Sequence, residues 1–504
     1  MTCQVSGSSS ARKAVISGTV LLLLLITAVQ AASAGQDNSV LKSPDGKGYR
    51  FDVNGWVYLH TEGAPYERGY QHGYLLAPEI RQELDATRYL TFQETGMPWE
   101  FFVNQSVQMF ADRIDPEYRE EIRGIAEGAT AAGTPVSWQE VLALNAEMEV
   151  VDYWWPTVQD DEYEKINDHE HCSAFIATGS WTNGGKIVVA HNTWSAFEDE
   201  RFCNLIHDIQ PEKGNRILMQ SLPGHIDSNA DYLVTSGGLM ITETSIGGFS
   251  QYKTDASPEF FRARKAAQYA GDLDTFVAIM QLNSSGGYAN SWLVGDAKTG
   301  EIMRFEQGLK FFSVNKTRDG YFIGANYVED PRIRNLETTG LSGTDIRDSV
   351  AARRVRFNDL MAQNKGQITT DRAKEILSDH YDVWLEREQP SCRTVEGRCD
   401  LDPRPQGSPF RPSGATDGKV MDSAMAANMT LTARWGSSSG LPFDAAVFVK
   451  QHPQYQYLDG YLPSFPTQPW TTFTAGDLPG QQEIDTTTHL PVRLMRLPVV
   501  SEPL

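Results

Sequence analysis

Beyond its first thirty residues the chain has no apolar run near the ~20 residues that a membrane-spanning helix needs, no block of basic residues and no internal repeat. Cysteine is also scarce, at 5 in 504 residues. The missing apolar runs argue against a polytopic membrane protein, and the missing repeat argues against a solenoid or propeller. The missing basic block, with a formal net charge of -21, sets nucleic-acid binding aside, because such a surface repels phosphate backbones and anionic membranes at a distance.

The first residues hold a three-part pattern: Arg12 and Lys13, an apolar run from Val20 through Val29, and the small residues Ala32, Ser33 and Ala34. This is the pattern of a signal peptide over residues 1–34, and it predicts a secreted protein, periplasmic or lumenal according to its host. A retained signal anchor is the competing reading. Cys3 would leave with the signal, so Cys172, Cys203, Cys392 and Cys399 remain. Cys392 and Cys399 bracket a polar segment inside a Pro/Gly-rich stretch near 389–417, which reads as a disulfide-stapled loop in an oxidising compartment. For Cys172 and Cys203, counting alone leaves a second bridge and two buried thiols both open.

Residues 55–148 read as mostly helical, with runs from Tyr66 to Glu83 and Pro116 to Ala132, and with Ser137 as N-cap of a helix from Trp138 to Met148. An acidic loop from Asp160 to Glu170 follows. The period then changes to alternation. Ser173 to Thr178 and Lys186 to His191 read as a hairpin turning at Asn183-Gly184-Gly185. Six further strand-like runs lie between Ile217 and Gly324, mixed with helical runs at Pro258–Ala270, Leu273–Leu282, Ile346–Ala362 and Thr370–Ser378. Strands in groups with helices predict an α+β fold of packed layers.

Cys172 stands where the acidic loop meets the first strand of the hairpin. If the peptide bond between His171 and Cys172 is cut, the new α-amine, with an ordinary pKa near ~8, can act as base toward the Cys172 thiol, so one residue supplies nucleophile and base. The returning strand ends in His191, Asn192, Thr193 and Trp194, which the hairpin brings toward Cys172. An asparagine amide there would donate to an oxyanion, although Asn192 and Thr193 also serve simply to turn the chain.

Two other patterns are weighed against this. Gly436-Ser437-Ser438-Ser439-Gly440 satisfies G-x-S-x-G, but a serine nucleophile needs a strand before it and a helix after it. A helical-looking segment from Ala424 to Trp435 precedes it and Leu441-Pro442 follows. Asp168-His169-Glu170-His171-Cys172 is dense in metal-ligating types, but adjacent residues rarely converge on one ion. No metal and no cofactor is expected.

The strings His171-Cys172-Ser173-Ala174-Phe175 and Val189-Ala190-His191-Asn192-Thr193-Trp194 resemble the start of the catalytic chain in phospholipase B-like proteins. Those are similar in turn to the acyl-CoA:6-aminopenicillanate acyltransferase family of cysteine N-terminal-nucleophile hydrolases. Further resemblance lies in Leu239 to Gly247, in Gly287-Tyr288-Ala289-Asn290-Ser291-Trp292, in Gly414 to Val420, and in a propeptide-like portion at Gly63 to Gly73 and Gly124-Ile125-Ala126. The resemblance implies a four-layer αββα sandwich over 172–504, with a helical propeptide over 35–171 that stays associated after autocleavage. It implies Cys172 as nucleophile and Asn290 and Asn192 as oxyanion donors, with His191, Trp194 and Thr244 lining the pocket. Arg353 matches a family arginine near the nucleophile, although helices carry solvated arginines routinely. Asn192-Thr193-Trp194 departs from the Asn-x-Asp of the acyltransferase branch and favours the phospholipase B-like one. The implied substrate is a small acyl ester or linear amide, possible forms being a phospholipid or an N-acyl compound. A catalytically silent lipid- or glycan-binding protein of the same fold is the alternative from another class.

Overall fold

The hairpin that carries Cys172 is built as its sequence predicts. Ser173–Gly179 and Gly185–Asn192 pair antiparallel, with Ser173 opposite Asn192 and Ala174 opposite His191. Gly184 and Gly185 both adopt positive φ, 77° and 75°, which lets the chain reverse without a Cβ penalty. The computed structural model describes residues 39–158, 172–199, 201–229, 231–340, 343–405 and 407–491. The signal-peptide segment, the acidic loop with Asp168 to Glu170, and His171 lie outside the described residues.

The hairpin belongs to a seven-stranded sheet ordered Gly320–Gly324, Ser173–Gly179, Gly185–Asn192, Asp417–Asp422, Thr430–Trp435, Trp470–Thr474, Glu483–Asp485. A second sheet of ten strands runs from Leu41–Lys42 at one edge to Phe312–Thr317 at the other. Strand alternation sends Ala174, Ile176, Ile187 and Val189 toward the ten-stranded sheet, where they share one core with Val234, Met240, Leu293 and Ile302. The intervening residues Phe175, Ala177, Val188 and Ala190 point the other way, onto Phe357, Met361, Ile376 and Leu377 of the helices Ser349–Gln363 and Thr370–Leu377. On the far face of the larger sheet, Ile241, Trp292 and Val294 pack against helices Glu259–Tyr269 and Leu273–Met280. The protein is thus a mixed α/β fold in which the Cys172 hairpin lies between the larger sheet and a helical cover.

The N-terminal portion differs from its helical reading. Tyr49–Val53 and Trp56–Gly63 are strands, and the latter runs parallel to Leu205–Pro211 within the ten-stranded sheet. Its first six residues are buried, so it shows none of the one-sided alternation that marks a surface strand. The Tyr66 to Glu83 run is two helices, Pro65–Leu75 and Ala77–Thr95. The segment Ala424 to Trp435 also divides, into a short helix Ser423–Ala427 and a strand Thr430–Trp435.

Cys392 and Cys399 are bridged, and Cys172 and Cys203 are both buried. The stapled loop holds Gly397 so close over the indole of Trp194 that an added Cβ would lie 1.6 Å from the ring.

Helices Pro65–Leu75 and Pro116–Ala131 meet backbone to backbone through glycines. A Cβ on Gly69 would stand 2.1 Å from the Glu121 carbonyl oxygen, and one on Gly73 would stand 1.9 Å from that of Ile125. Arg68 reaches from this seam to Glu121 at 2.6 Å, both buried. In an exposed helix Gly→Ala gains about 1 kcal/mol of propensity. Here the neighbour is rigid backbone, so the overpacking cost prevails. Gly73→Ala is expected to destabilise the fold by about 1–3 kcal/mol, read as a lower urea midpoint; an unchanged or raised midpoint would contradict the close seam.

Candidate active site

Cys172 immediately precedes the Ser173–Gly179 strand, and its sulfur lies within 4.8 Å of donor atoms of His191, on the smaller sheet, and Glu243, on the larger, so its side chain points toward the space between the sheets. It is 2% exposed, and its backbone lies in the left-handed region at φ 85°, a conformation costly for a residue with a Cβ. The surrounding structure holds that conformation. Arg353, wholly buried, donates from Nη1 to the Cys172 carbonyl oxygen at 2.7 Å and to Ser173 Oγ at 3.3 Å. Its Nη2 donates to Asn326 Oδ1 at 2.8 Å, its Nε to Ser349 Oγ at 3.0 Å, and its guanidinium lies 4.3 Å from the centre of a Trp194 ring. Arg353 is therefore no solvated helix residue; it grips the residue that precedes the strand.

Asn326 continues the connection. Its Nδ2 donates to the Ser245 carbonyl and hydroxyl at 2.9 and 3.0 Å, and Ser245 pairs directly with Asn290 on the next strand of the larger sheet. Asn290 is 1% exposed, and both atoms of its amide lack a hydrogen-bond partner. Thr244 Oγ1, on the preceding residue, is likewise buried and unpartnered, and Thr244 packs so closely on Gly324 that a Cβ there would lie 2.5 Å from its methyl. A buried polar atom left unsatisfied costs about 1–3 kcal/mol, so a group of them is retained only where something other than packing holds them.

The nearest titratable neighbours of Cys172 are His191 and Glu243. One donor atom from each of the three lies within 4.8 Å of the other two. All three are buried, neither ring nitrogen of His191 makes a hydrogen bond, and Glu243 Oε2 is unpartnered. The Glu243 backbone carbonyl faces the His191 ring without a bond of good geometry. Glu243 Oε1 accepts from the Tyr288 hydroxyl at 3.1 Å, and that hydroxyl also donates to Asp231 Oδ2 at 2.6 Å. Opposite them, Lys419 is Cα partner to His191 across the sheet, reaches Thr193 Oγ1 at 2.5 Å, and forms a wholly buried pair with Asp417 at 3.1 Å.

Burial dominates the electrostatics. It pushes the Cys172 thiol well above its ordinary pKa, with Glu243 adding to the rise while Lys419 and the backbone N–H of Trp194 oppose it. Burial pushes His191 well down, with Lys419 adding, so the imidazole is neutral. Glu243 is held well above the carboxylate range by burial and by Asp231, and burial raises Asp231 to about 6. Burial disfavours the thiolate, so the thiol needs a base before it can attack.

The expected residues fall into two groups. Cys172, His191 and Arg353 come together, and Asn290 and Thr244 join them through Asn326 and Ser245. Asn192 turns the other way: it shares a face with Ser173, and its Nδ2 donates to the Leu377 carbonyl at 3.0 Å in the helical cover. Trp194 supports rather than lines: its indole N–H donates to the Glu396 carbonyl at 2.5 Å, between Arg353 and the stapled loop. Glu243, Lys419, Asp231 and Tyr288 were not singled out. Glu243 and Lys419 lie in strands of mixed polar and apolar residues, Leu239–Ser245 and Asp417–Asp422, whose sequences carry no local signal that sets these two apart. At Gly436 to Gly440 a strand does precede the serines, contrary to the helical reading, but Ser438 donates to the Leu377 carbonyl and Ser439 to Glu396, and neither hydroxyl is bonded to a histidine. No nucleophile elbow is formed.

Among the described residues no helix is long and apolar enough to cross a membrane. The chain is 28% identical over 296 residues to an uncharacterized protein of Archaeoglobus fulgidus, covering 55% of this chain and 48% of that one. It is 24% identical over 328 residues to phospholipase B-like 1 of Caenorhabditis elegans, covering 55% and 54%. With phospholipase B-like 2 of Bos taurus it shares 29% over 128 residues, 22% of each. The chain thus spans about half the length of the first two relatives. The family model for phospholipase B matches residues 57–317, just over half of the chain, and includes the Cys172 hairpin, Glu243 and Asn290. The chain belongs to the phospholipase B family.

Proposed function

We propose that the protein is an autoprocessed cysteine hydrolase of acyl ester or linear amide bonds, working through a thioester at Cys172. The observation that carries this reading is the place of Cys172: at the head of a buried strand, in left-handed backbone at φ 85°, with its carbonyl clamped by Arg353. Strain of that kind persists at functional sites, and here it bears on the peptide bond to be cut. A relay of thiol, imidazole and carboxylate does not fit, because thiol and carboxylate would then stand on opposite sides of the ring, two hydrogen bonds and a ring width apart. They lie within 4.8 Å of each other. The base is instead assigned to the α-amine of Cys172, which exists only after cleavage.

In maturation the Cys172 sulfur attacks the carbonyl carbon of residue 171. The S–C bond forms, the C–N bond breaks, the thiol proton goes to the departing amine, and water then hydrolyses the thioester to a carboxylate and a free thiol. In turnover the amine takes the thiol proton, the sulfur attacks the substrate carbonyl, and the amine returns the proton to the leaving alcohol or amine. Water, deprotonated by the same amine, releases the fatty acid. Asn290 supplies the oxyanion donor, which is why its amide is buried without a partner in the resting state. The family name favours a phospholipid acyl ester; an N-acyl amide is the second substrate class.

The fold reading that goes with this is the four-layer αββα sandwich of N-terminal-nucleophile hydrolases, with residues 35–171 as the leaving fragment and 172–504 as the catalytic one. It is supported by helices on the outer face of each sheet and one core between the sheets. The fragments stay together through the parallel ladder of Val57–Gly63 with Leu205–Pro211 and through the buried Asp208 network with His60, Tyr58 and Arg216. The chain's signal-like leader would deliver it outside the cytosol.

Hydrolysis of phosphatidylcholine and of an N-acyl amino acid by purified protein tests the activity. Cys172→Ser is expected to abolish fatty-acid release from whichever substrate is turned over. Asn290→Ala, in fully matured protein, is expected to lower kcat by about 10²- to 10³-fold with little change in KM. Wild-type rates in mature Asn290→Ala would remove Asn290 from the oxyanion hole.

A further inference from the structure

Cys172, His191 and Glu243 come from three separate strands or strand ends, yet their donor atoms converge. In an acid–base relay the atoms form a line through the imidazole; here they form a triangle with no side longer than 4.8 Å. The ring nitrogens of His191 and Glu243 Oε2 are wholly buried without hydrogen bonds of good geometry, although the Glu243 carbonyl faces the ring and Asp231 adjoins the Glu243 carboxyl, and Cys172 is nearly as enclosed. A sulfur, an imidazole nitrogen and a carboxylate oxygen within 4.8 Å of one another are the donor types of a tetrahedral metal site with one position open, and a small side-chain closure would bring them to ligand spacing. Neighbouring charge permits a cation. The positive charge of Lys419 is offset in part by its pairing with Asp417 at 3.1 Å, and the carboxyl of Asp231 stands beside Glu243, both bonded by the Tyr288 hydroxyl. That hydroxyl, bonded to Glu243 Oε1, also orients the carboxylate as an outer partner of a ligand does.

We propose that Cys172, His191 and Glu243 form a zinc-binding site, in which the ion takes the thiolate, the imidazole and the carboxylate and so holds the nucleophile inactive. Binding displaces the thiol proton and any proton on Glu243 to solvent, and neutral His191 binds through its free nitrogen. The ion draws sulfur electron density into the zinc–sulfur bond and so lowers the nucleophilicity of Cys172, and a chelator that removes it returns the thiol. The mixed set excludes calcium and magnesium, which require oxygen donors. The site goes beyond the hydrolase reading and does not depend on cleavage, because all three ligands are side chains.

The test uses full-length, tag-free wild-type protein, loaded with one equivalent of zinc and passed through gel filtration. X-ray absorption at the zinc edge is expected to show one sulfur at about 2.3 Å and nitrogen or oxygen neighbours at about 2.0–2.1 Å. Cobalt in place of zinc should give a thiolate-to-cobalt charge-transfer band. That band should be lost in Cys172→Ser, kept in Cys203→Ser, and seen with at least about 10- to 100-fold weaker affinity in His191→Gln and Glu243→Gln. Zinc lost on gel filtration, a zinc shell without sulfur, or a band that follows Cys203 would each overturn the proposal. The wild-type spectrum decides it even if a variant fails to fold. Since none of these readouts is turnover, they separate this site from the hydrolase reading: a protein that binds zinc through Cys172 and stays inactive after a chelator has removed the zinc would contradict the second and leave the first.

Discussion

The bond from Arg353 to the carbonyl of Cys172 is the contact on which the rest of the site depends. It fixes a residue that would otherwise relax out of left-handed backbone, and it does so from a helix locked into the core by Phe357 and Met361, one and two turns on along the same face. A buried guanidinium needs its donors satisfied, and here four acceptors meet them: Cys172, Ser173, Asn326 and Ser349. The planar fork lets one side chain tie the smaller sheet, through Cys172, to the larger one, through Asn326 and Ser245. Trp194 closes the face of the guanidinium, and the stapled loop closes the back of Trp194.

Around that fixed point the protein tolerates polar atoms that stability alone would remove. Asn290, Thr244, His191 and Glu243 keep unsatisfied atoms in a buried space, at about 1–3 kcal/mol for each. Elsewhere in the interior several charged groups are paired. Arg68 is met by Glu121, Asp208 by His60 and Arg216, and Arg393 by Asp382 and Asp402.

Much of this was legible in the sequence where local rules apply. Gly184 and Gly185 announce the hairpin, and the hairpin fixes the neighbours of Cys172. The spacing of Cys392 and Cys399 announces the staple. What was not legible depended on distant strands or on burial of both faces. Trp56–Gly63 hides its strand character because both of its faces are covered. Asn192 was read as a partner of Cys172 from proximity along the chain, but period-two alternation sends it to the opposite face from His191, and that parity was available in the sequence. Glu243 and Lys419 gained meaning only when the sheets were stacked, since nothing local ties residue 243 or 419 to residue 172.

The account rests on one covalent event, and intact-mass analysis of the purified chain, followed by sequencing of any new N-terminus, tests it most directly. The mechanism predicts a fragment beginning at Cys172 in wild-type protein, absent from Cys172→Ala, with the two wild-type fragments eluting together in native gel filtration. A wild-type chain that hydrolyses its substrate while intact across residues 171 and 172 would contradict it, because the only base the mechanism assigns to the thiol would then not exist.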